Sequence, residues 1–496
     1  MRRFKELAEE NQFSPIRAID SDLAGYLHLD GTSTKAALNS KDFHHFEDDD
    51  DGWFNLEIED HRGSRVLLHN ALTQSQSMPG YAAGKSVGSY TSEIFPNIVI
   101  FGTENLRNDR TLLQLSFILE GAENFFVYDV IERHSFYGSA GGKSALKSVR
   151  EEAWKLPQGL RERGYSNDPD EIHVIHHPKR YLSLDIEDMK VSVSHSRYQR
   201  GLGWTGHKIE IVPVISIAFK VPITINDALD RIWRVKGFFD QLSLDDLRIS
   251  AISFSKFKKG WPSSDVYLPN EANRARERRL ELHPIYIPFS RWNERKKFQE
   301  SLYNWLVISR ERLFFRAAVR LSLVRLQQQI DPTLITLLVA GIESLSELGG
   351  KSGVSKQMIN DMANAAHKMA PSVELSSIKG MLGTLGRISP KQRLQKIATL
   401  VSTGKVDIDV EAFASATIEL RNQIAHGRGF DELERAAAGH IAEALTYLCV
   451  AYDLQSSGMP SKSEDSDKRG LLAISKMNLA WMGYKMASAT QAHDNG

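Results

Sequence analysis

The spacing of apolar residues changes near residue 291 of this 496-residue chain, and this change constrains the fold more than any other feature. Before it, short apolar segments lie between Gly, Asp and Asn, and Val191 and Val193 show clear alternation. After it, apolar residues follow steps of three and four. Alternation is typical of half-buried strands and the longer steps are typical of helices. The sequence therefore predicts an α+β fold, with a β-rich module over residues 1–290 and an all-α bundle over residues 291–455.

The amino-terminal module is predicted to contain strands separated by turn residues, and one helix at Ala228–Leu242. In that helix Leu229, Ile232, Trp233 and Phe239 recur at helical spacing. The segments predicted to contain strands are 24–31, 52–60, 65–72, 97–102, 111–121, 171–178, 179–188, 189–196 and 207–223.

The carboxy-terminal bundle is predicted to begin with one long helix from Arg291 to about Gln329. Asp331-Pro332 provides an N-cap and a proline for the first helical position, which predicts a helix over Thr333–Leu348. Ser389-Pro390 repeats that start signal. The remaining helices are predicted at Val410–His426 and Asp431–Leu454, which completes the bundle.

Residues 456–496 are predicted to form a linker and a terminal helix. The linker is rich in Gly, Pro and Ser. The segment Leu471–Ala489 carries leucines, methionines and Trp481, and is expected to be amphipathic. It could dock on its own chain or on a second subunit, and the sequence leaves both possibilities open.

Composition excludes several classes of protein. Apolar residues make up 42% of the chain and charged residues 25%, which excludes disorder over the whole chain. A single cysteine, Cys449, excludes a disulfide framework and a cysteine-based zinc site. No apolar run is long enough to span a membrane, and the first residues lack the apolar core of a secretory signal, so we expect a cytoplasmic protein without membrane contact. The net charge is zero, so any nucleic-acid binding must use a local patch.

Residues 411–429 contain the most informative pattern. On a helix, Phe413, Ala416, Leu420 and Ile424 form an apolar stripe. A second, polar stripe is formed by Ser415, Glu419, Asn422 and His426, and Arg421 is long enough to reach it. A cation, an amide and an imidazole are thus predicted to gather at one end of a helix.

This set of groups suits cleavage of an RNA phosphodiester. An imidazole such as that of His426 can exchange a proton with a 2′-hydroxyl or with the leaving oxygen. The guanidinium of Arg421 can hold the phosphate, and the amide of Asn422 can orient either group. No metal or other cofactor is needed when the 2′-hydroxyl is the nucleophile. The structural alternative stays open: a histidine is favoured near a helix C-terminus by the dipole, and Arg421 could simply pair with Glu419 or Asp431.

The heptapeptide Arg421–Gly427, RNQIAHG, resembles the signature of the HEPN superfamily, which has an arginine, a polar residue and, after three further residues, a histidine. The helix around Ala340–Leu345 lies upstream, as in that superfamily. The amino-terminal half resembles the β-rich leader of ApeA-type anti-phage proteins, and the resemblance spans about residues 15–455. The main segments that carry this resemblance are residues 25–27, 53–58, 98–102 and 113–126.

The resemblance implies a metal-independent endoribonuclease that acts as a homodimer with a shared cleft. It implies that Arg421 and His426 are catalytic and that Asn422 assists them. It also implies an abortive-infection effector that cleaves host RNA, with transfer RNA as one candidate, once phage infection triggers it. Because an unregulated ribonuclease would poison its host, we expect a phage-derived protein to bind residues ~15–290 and raise the activity. A different class of function remains as the alternative, namely a non-catalytic HEPN module for binding or dimerisation.

Other residues are weaker candidates for a functional site. Glu343, on an apolar helix, either supports the site or is buried against an arginine. Lys256, Lys258 and Lys259 lie beside Phe257 and Trp261, a mixture of bases and aromatics that is typical of nucleic-acid surfaces.

Three further patterns are more typical of ordinary loops and surface residues than of a functional site. Gly138–Ser144 lacks the first glycine of a phosphate-binding loop, so nucleotide binding through Lys143 is disfavoured. The acidic run Asp48–Asp51 beside His44 and His45 favours a solvated loop over a cation site, and His173, His176 and His177 favour ordinary surface hydrogen bonding.

Overall fold

The structure is a computed structural model of the chain. The described residues are 1–19, 21–41, 46, 52–77, 80–82, 85–87, 89–105, 111–126, 131–135, 171–175, 182–201, 207–258, 262–272, 295–308, 311–326, 331–349, 355–369, 371, 373–383, 388–402, 410–427 and 432–458.

The amino-terminal part is built mainly of antiparallel strands. Every strand segment that the sequence predicts contains a strand. The strands are β1 (Ser14–Ala18), β2 (Ala24–His28), β3 (Lys35–Ser40), β4 (Phe54–Asp60), β5 (Arg65–Ser77), β6 (Gly80–Ala82), β7 (Lys85–Val87), β8 (Tyr90–Phe101), β9 (Leu112–Leu119), β10 (Ile131–Ser135), β11 (Glu171–Ile175), β12 (Leu182–Asp185), β13 (Met189–Gly201), β14 (His207–Ile223), β15 (Ile249–Ser255) and β16 (Ser264–Tyr267).

Twelve of these strands form one sheet, and six of the twelve close into a barrel. The sheet order is β12-β13-β14-β9-β15-β16-β8-β3-β2-β1-β4-β5, and β5 pairs back with β8. Closure leaves β8, β3, β2, β1, β4 and β5 without a free edge among themselves. Strand β15 is buried at all seven positions and so shows no alternation, which explains why the sequence analysis did not predict it.

The helices lie mainly in the carboxy-terminal part, so the mixed α+β class is confirmed. Their bounds are α1 (Phe4–Glu10), α2 (Glu123–Phe126), α3 (Ile225–Ser243), α4 (Pro269–Ala272), α5 (Arg295–Ile308), α6 (Leu313–Leu326), α7 (Thr333–Glu343), α8 (Lys356–Met369), α9 (Leu375–Gly383), α10 (Pro390–Ser402), α11 (Val410–Ala425) and α12 (Glu432–Ser456). Short 3₁₀ turns lie at Gly31–Ser33, Thr103–Asn105 and Ser346–Leu348.

Two start signals read from the sequence act as helix caps. Thr333 N–H donates to the side chain of Asp331 over 2.9 Å, ahead of α7. At α10, Ser389 Oγ accepts from Gln392 N–H over 3.2 Å, and Gln392 Oε1 accepts from Ser389 N–H over 2.9 Å. This reciprocal pair satisfies donors that the first turn of a helix leaves without partners.

The predicted long helix from Arg291 to about Gln329 is wrong, because the chain forms two helices there. Helix α5 ends at Ile308 and α6 begins at Leu313. Arg312 lies in the intervening turn and is buried, where its guanidinium pairs with Asp453 over 2.9 Å. The turn places Arg312 beside Asp453. The spacing of apolar residues gives no sign of this break, because the contact joins residues 141 positions apart.

The helix predicted at Thr333–Leu348 is also shorter, ending at Glu343. Arg393 Nη1 donates to the backbone oxygens of Glu343 and Leu345 over 2.9 and 2.8 Å. These bonds satisfy carbonyl groups that the end of a helix exposes. The side chain of Leu345 is fully buried after the helix has stopped.

Helix α3 joins the sheet to the helical part in one continuous hydrophobic core. Phe238 contacts Phe298 and Trp305 of α5, with ring centroids 5.6 Å apart in both pairs. Trp305 Nε1 donates to the backbone oxygen of Arg234 over 3.1 Å. The change in apolar spacing near residue 291 therefore does not interrupt the hydrophobic core. The division into modules at 290 and 455 stays a prediction.

Charged groups are buried at this junction, around Lys236 on α3 and around Asp453 on α12. Lys236 is fully buried and pairs with Asp240 over 2.7 Å and with Asp246. Burial lowers the pKa of Lys236, and the Asp240 carboxylate opposes that shift. On the helical side, Asp453 receives Arg312, Arg316 and Gln241. These contacts fix α3, α6 and α12 relative to one another.

Candidate functional site

Helix α11 carries the two stripes that the sequence predicts. Phe413, Ala416 and Leu420 are buried, and Ile424 packs partly buried against the core. Glu419, Asn422 and His426 lie on the exposed side, with Ser415 half-buried. Burial of the apolar stripe therefore leaves the polar stripe accessible to a ligand.

The end of α11 keeps helical hydrogen bonding as far as His426. His426 N–H donates to the backbone oxygen of Asn422 over 3.0 Å, and Gly427 N–H donates to Ile424 over 3.0 Å. Gly427 adopts φ +70°, the left-handed conformation that ends many helices. Among the described residues, no atom beyond its neighbours lies within 4 Å of the position of a Cβ on Gly427. The His426 side chain is exposed at this end of the helix.

Arg421 is held by two groups. Its Nη1 donates to Asn422 Oδ1 over 3.2 Å, and its Nη2 lies 3.7 Å from Glu343 Oε1. About a third of each of the Arg421 and Glu343 side chains is exposed, 32% and 34% respectively. Arg421 Nε is buried and has no hydrogen-bond partner among the described residues. The guanidinium is thus oriented and still reachable.

Glu343 reaches this position because α7 ends at that residue. Arg393 holds the backbone oxygens at the end of α7, as described above, and thereby fixes where the Glu343 side chain emerges. The described ion pair of Arg421 is with Glu343 rather than with Glu419, and Asp431 lies outside the described residues. The sequence named Glu343 as a supporting residue, and the structure brings it to Arg421.

The arrangement combines a cation, an amide and an imidazole on one exposed helix end. A half-exposed guanidinium beside a carboxylate can exchange that loose partner for a phosphate, which offers two acceptor oxygens to the same fork. Arg421 and His426 are five residues apart, or ~140° around an ideal helix. Joint action on one phosphate therefore relies on the length of the arginine side chain or on a second copy of the site.

The lysines proposed to bind RNA lie elsewhere in the fold. Lys256 and Lys258 follow β15, and Lys256 Nζ lies 5.3 Å from the centroid of the Phe257 ring. Lys258 and Phe257 are exposed. Lys259 lies outside the described residues, and none of the described contacts joins this group to α11.

Most of the weaker candidates also fall outside the described part of the chain. These are His44, His45, Asp48–Asp51, Gly138–Ser144, His176 and His177, whereas His173 lies on β11. Within the described ranges there is no group of three or more His, Cys, Asp or Glu placed to hold a metal ion. No described helix is both long and apolar enough to cross a membrane.

Sequence reasoning missed two features near the site and the junction. Arg393, which fixes the end of α7, gave no local signal because its acceptors lie about 50 positions away. Asp453 could have been found, since it is a lone acid in the apolar stretch that ends α12, and a buried charge of this kind requires a partner.

Comparison with known proteins adds nothing to these observations: no family model, curated protein or solved structure matches the chain.

Proposed function

We propose that this protein is a metal-independent endoribonuclease of the HEPN type, with its active site at the end of α11. The observation that carries the proposal is the half-exposed Arg421, held by Glu343 and Asn422 five residues before the exposed His426. The motif resemblance and this geometry support the same three residues.

Each residue has a defined role in the proposed reaction. The imidazole of His426 takes the proton of the 2′-hydroxyl or delivers one to the leaving oxygen. The 2′-oxygen attacks the adjacent phosphorus, a cyclic phosphate forms, and the bond to the 5′-oxygen of the next nucleotide breaks. Arg421 neutralises the charge that develops on the phosphate oxygens. The Oδ1 of Asn422 accepts a hydrogen bond from Arg421 and thereby orients its guanidinium.

A homodimer would complete the site. One copy supplies one imidazole and one guanidinium on different sides of a helix, whereas general acid–base cleavage uses both a proton acceptor and a proton donor. We propose that two α11 helices meet so that the two His426 side chains approach each other. Asn422 and His426 are exposed, which leaves this end of the helix accessible to a second copy.

The biological role we propose is abortive infection. A phage-derived protein would bind residues ~15–290 and favour an active form, after which cleavage of host RNA, transfer RNA being one candidate, would stop phage replication. A trigger acts only through different affinities for the idle and active forms. Helix α3, which packs against the sheet and against α5, α6 and α12, offers a physical connection between the two parts.

The decisive experiment compares His426→Ala with His440→Ala in the full chain. His440 is an exposed histidine on α12 and serves as the matched control. We expect His426→Ala to lose cleavage by a factor of about 10²–10⁴, the range for general acid–base groups. His440→Ala should keep cleavage, and EDTA should leave it unchanged. Cleavage by His426→Ala at the wild-type rate, or its abolition by EDTA, would contradict the proposal.

A non-catalytic HEPN module is the second candidate, and one observation favours it. The Arg421–Glu343 ion pair links α11 to α7, which is a contact that a scaffold would also use. Light scattering should show a dimer for both functions, so the RNA cleavage assay on the wild type and on His426→Ala separates them. A binding module predicts a dimer without any RNA cleavage in the wild type, whereas an enzyme predicts cleavage that disappears in the variant.

A further inference from the structure

A cavity of about 140 Å³ lies between α3, α5 and α6. Trp233 of α3 and Trp305 of α5 line it, and the exposed Leu313 and Ala317 of α6 mark its opening to solvent. An engineered protein cavity of about 150 Å³ holds one benzene molecule. The cavity at this junction therefore suits a ligand built on a single ring.

Two buried polar atoms of the lining have no hydrogen-bond partner within the described residues, namely Gln241 Oε1 and Arg234 Nε. Gln241 is 3% exposed, and its Nε2 donates to Asp453 over 3.2 Å, which leaves Oε1 as an acceptor. Arg234 pairs with Asp230 over 2.6 Å through Nη2, which leaves Nε as a donor. Because buried polar atoms almost always have partners, a bound molecule with a donor and an acceptor would complete both.

The lining also contains a cation whose charge is not paired. Arg316 bonds Asp453 over 2.9 Å, and Asp240 bonds Lys236 over 2.7 Å. Arg320, by contrast, makes no hydrogen bond or ion pair with any residue that the structure describes, and it attracts the Asp240 carboxylate only at longer range. An anion that enters the cavity therefore finds a guanidinium that the fold has not used.

The position of Arg320 suits a flat anion. Its guanidinium carbon lies 4.4 Å from the centroid of the Trp233 ring. Contact with an aromatic face leaves the in-plane N–H donors of the guanidinium available, and two of these donors match the two oxygens of a carboxylate. The same indole offers an apolar surface to a ring that carries the carboxylate.

We propose that this cavity binds a small aromatic carboxylate that carries a hydroxyl group. The carboxylate pairs with Arg320, the ring packs against the apolar lining, and the hydroxyl donates to Gln241 Oε1. One of the ligand oxygens accepts from Arg234 Nε. The inference is independent of RNA cleavage, because the described lining belongs to α3, α5 and α6 and the proposed active site to α11.

Titration calorimetry on the full chain tests this proposal, with ortho-, meta- and para-hydroxybenzoate as probes. We expect one of the three isomers to bind more tightly than benzoate, because benzoate leaves Gln241 Oε1 without a donor. Phenol lacks the carboxylate and inorganic phosphate lacks the ring, so each should bind at least about tenfold more weakly than the best isomer.

Arg320→Gln identifies the anion contact, and Arg325→Gln is the matched control. Arg325 is an exposed arginine on the same helix that pairs with Asp331. Arg320→Gln should weaken binding of the best hydroxybenzoate by about ten- to a hundredfold, through loss of a charge-assisted hydrogen bond, and Arg325→Gln should leave the affinity unchanged. The unfolding midpoint without a probe should stay close to that of the wild type, because Arg320 bonds no described residue.

Three results would overturn the proposal. The first is that neither benzoate nor any hydroxybenzoate binds with a Kd below about 10 mM. The second is an affinity for phenol equal to that for the best hydroxybenzoate, since the cavity would then not recognise an anion. The third is an equal loss of affinity in Arg320→Gln and Arg325→Gln. The first two are measured on the wild type, so they decide the question even where Arg320→Gln fails to fold.

Discussion

Two of the sites in the described helical part where an arginine meets a carboxylate differ in distance, in burial and in the number of partners. At the junction, Arg312 and Arg316 both bond Asp453 over 2.9 Å, and Asp453 has no exposed surface. At the end of α11, Arg421 lies 3.7 Å from Glu343, and a third of each side chain is exposed.

The difference indicates what each cluster can do. Asp453 also accepts a hydrogen bond from Gln241 of α3, so its oxygens are used within the fold, and removal of the Asp453 carboxylate leaves two buried guanidinium groups without their shared partner. Arg421 keeps a loose partner and access to solvent, so a phosphate can replace Glu343 without disturbing the core. The tight cluster is suited to holding the two parts of the protein together, and the loose one to binding a ligand.

The largest effect is expected at the tight cluster. Asp453→Ala leaves two buried guanidinium groups without their carboxylate, and should lower the free energy of unfolding by about 3–5 kcal/mol. Glu347→Ala is the matched control, because Glu347 also pairs with Arg312 but is 35% exposed. That change should cost less than about 1 kcal/mol. Urea unfolding of the two variants measures both, and equal losses would contradict the structural role of Asp453.

Arg421→Ala should show the opposite profile, with little change in stability and a large loss of cleavage. We expect a loss of less than about 1 kcal/mol of stability, and cleavage slowed by about 10²–10³-fold through lost charge stabilisation. Arg325→Ala is the control, since Arg325 is an exposed arginine paired with Asp331. Unfolding of Arg421→Ala at the temperature of the assay would place Arg421 with the structural cluster instead.

Gly427, which ends α11, and Gly458, which follows α12, extend the same contrast between packed and open positions. An alanine Cβ at Gly427 meets no atom of the described residues within 4 Å, so Gly427→Ala should cost only the left-handed strain, about 1–2 kcal/mol. Gly458→Ala bears the same strain and also presses on Asn304, so it should cost more. Thermal unfolding ranks the two variants. Equal losses would show that Gly458 is not closely packed against Asn304.

The smallest effect is expected for Glu343→Gln, which removes the charge and keeps the shape. An ion pair as exposed as this one contributes about 0–1 kcal/mol, so stability should barely change. Cleavage should fall between that of the wild type and that of Arg421→Ala, because Arg421 keeps its bond to Asn422. A loss as large as that of Arg421→Ala would assign Glu343 a direct part in the chemistry.

Local features of the sequence determined much of the secondary structure. The start of α10 follows from Ser389-Pro390, and the two faces of α11 follow from the period of its apolar residues, because caps and helical faces involve residues only three or four positions apart. Alternation led to the prediction of strands such as β13 for the same reason, whereas the short alternating strand β1 and the uniformly buried β15 were not predicted. The motif at Arg421, Asn422 and His426 was also visible, since its members share one helix.

Only the tertiary structure decided which distant groups meet. The closure of the barrel through β5 and β8 depends on partners 14 to 35 positions apart. The break between α5 and α6 and the junction around Asp453 depend on the contact between Arg312 and Asp453, which are 141 positions apart. Glu343 was named from the sequence as a candidate, but its place beside Arg421 depends on Arg393 ending α7. Local periodicity records which side of an element is buried, and it carries no information about what that side is buried against.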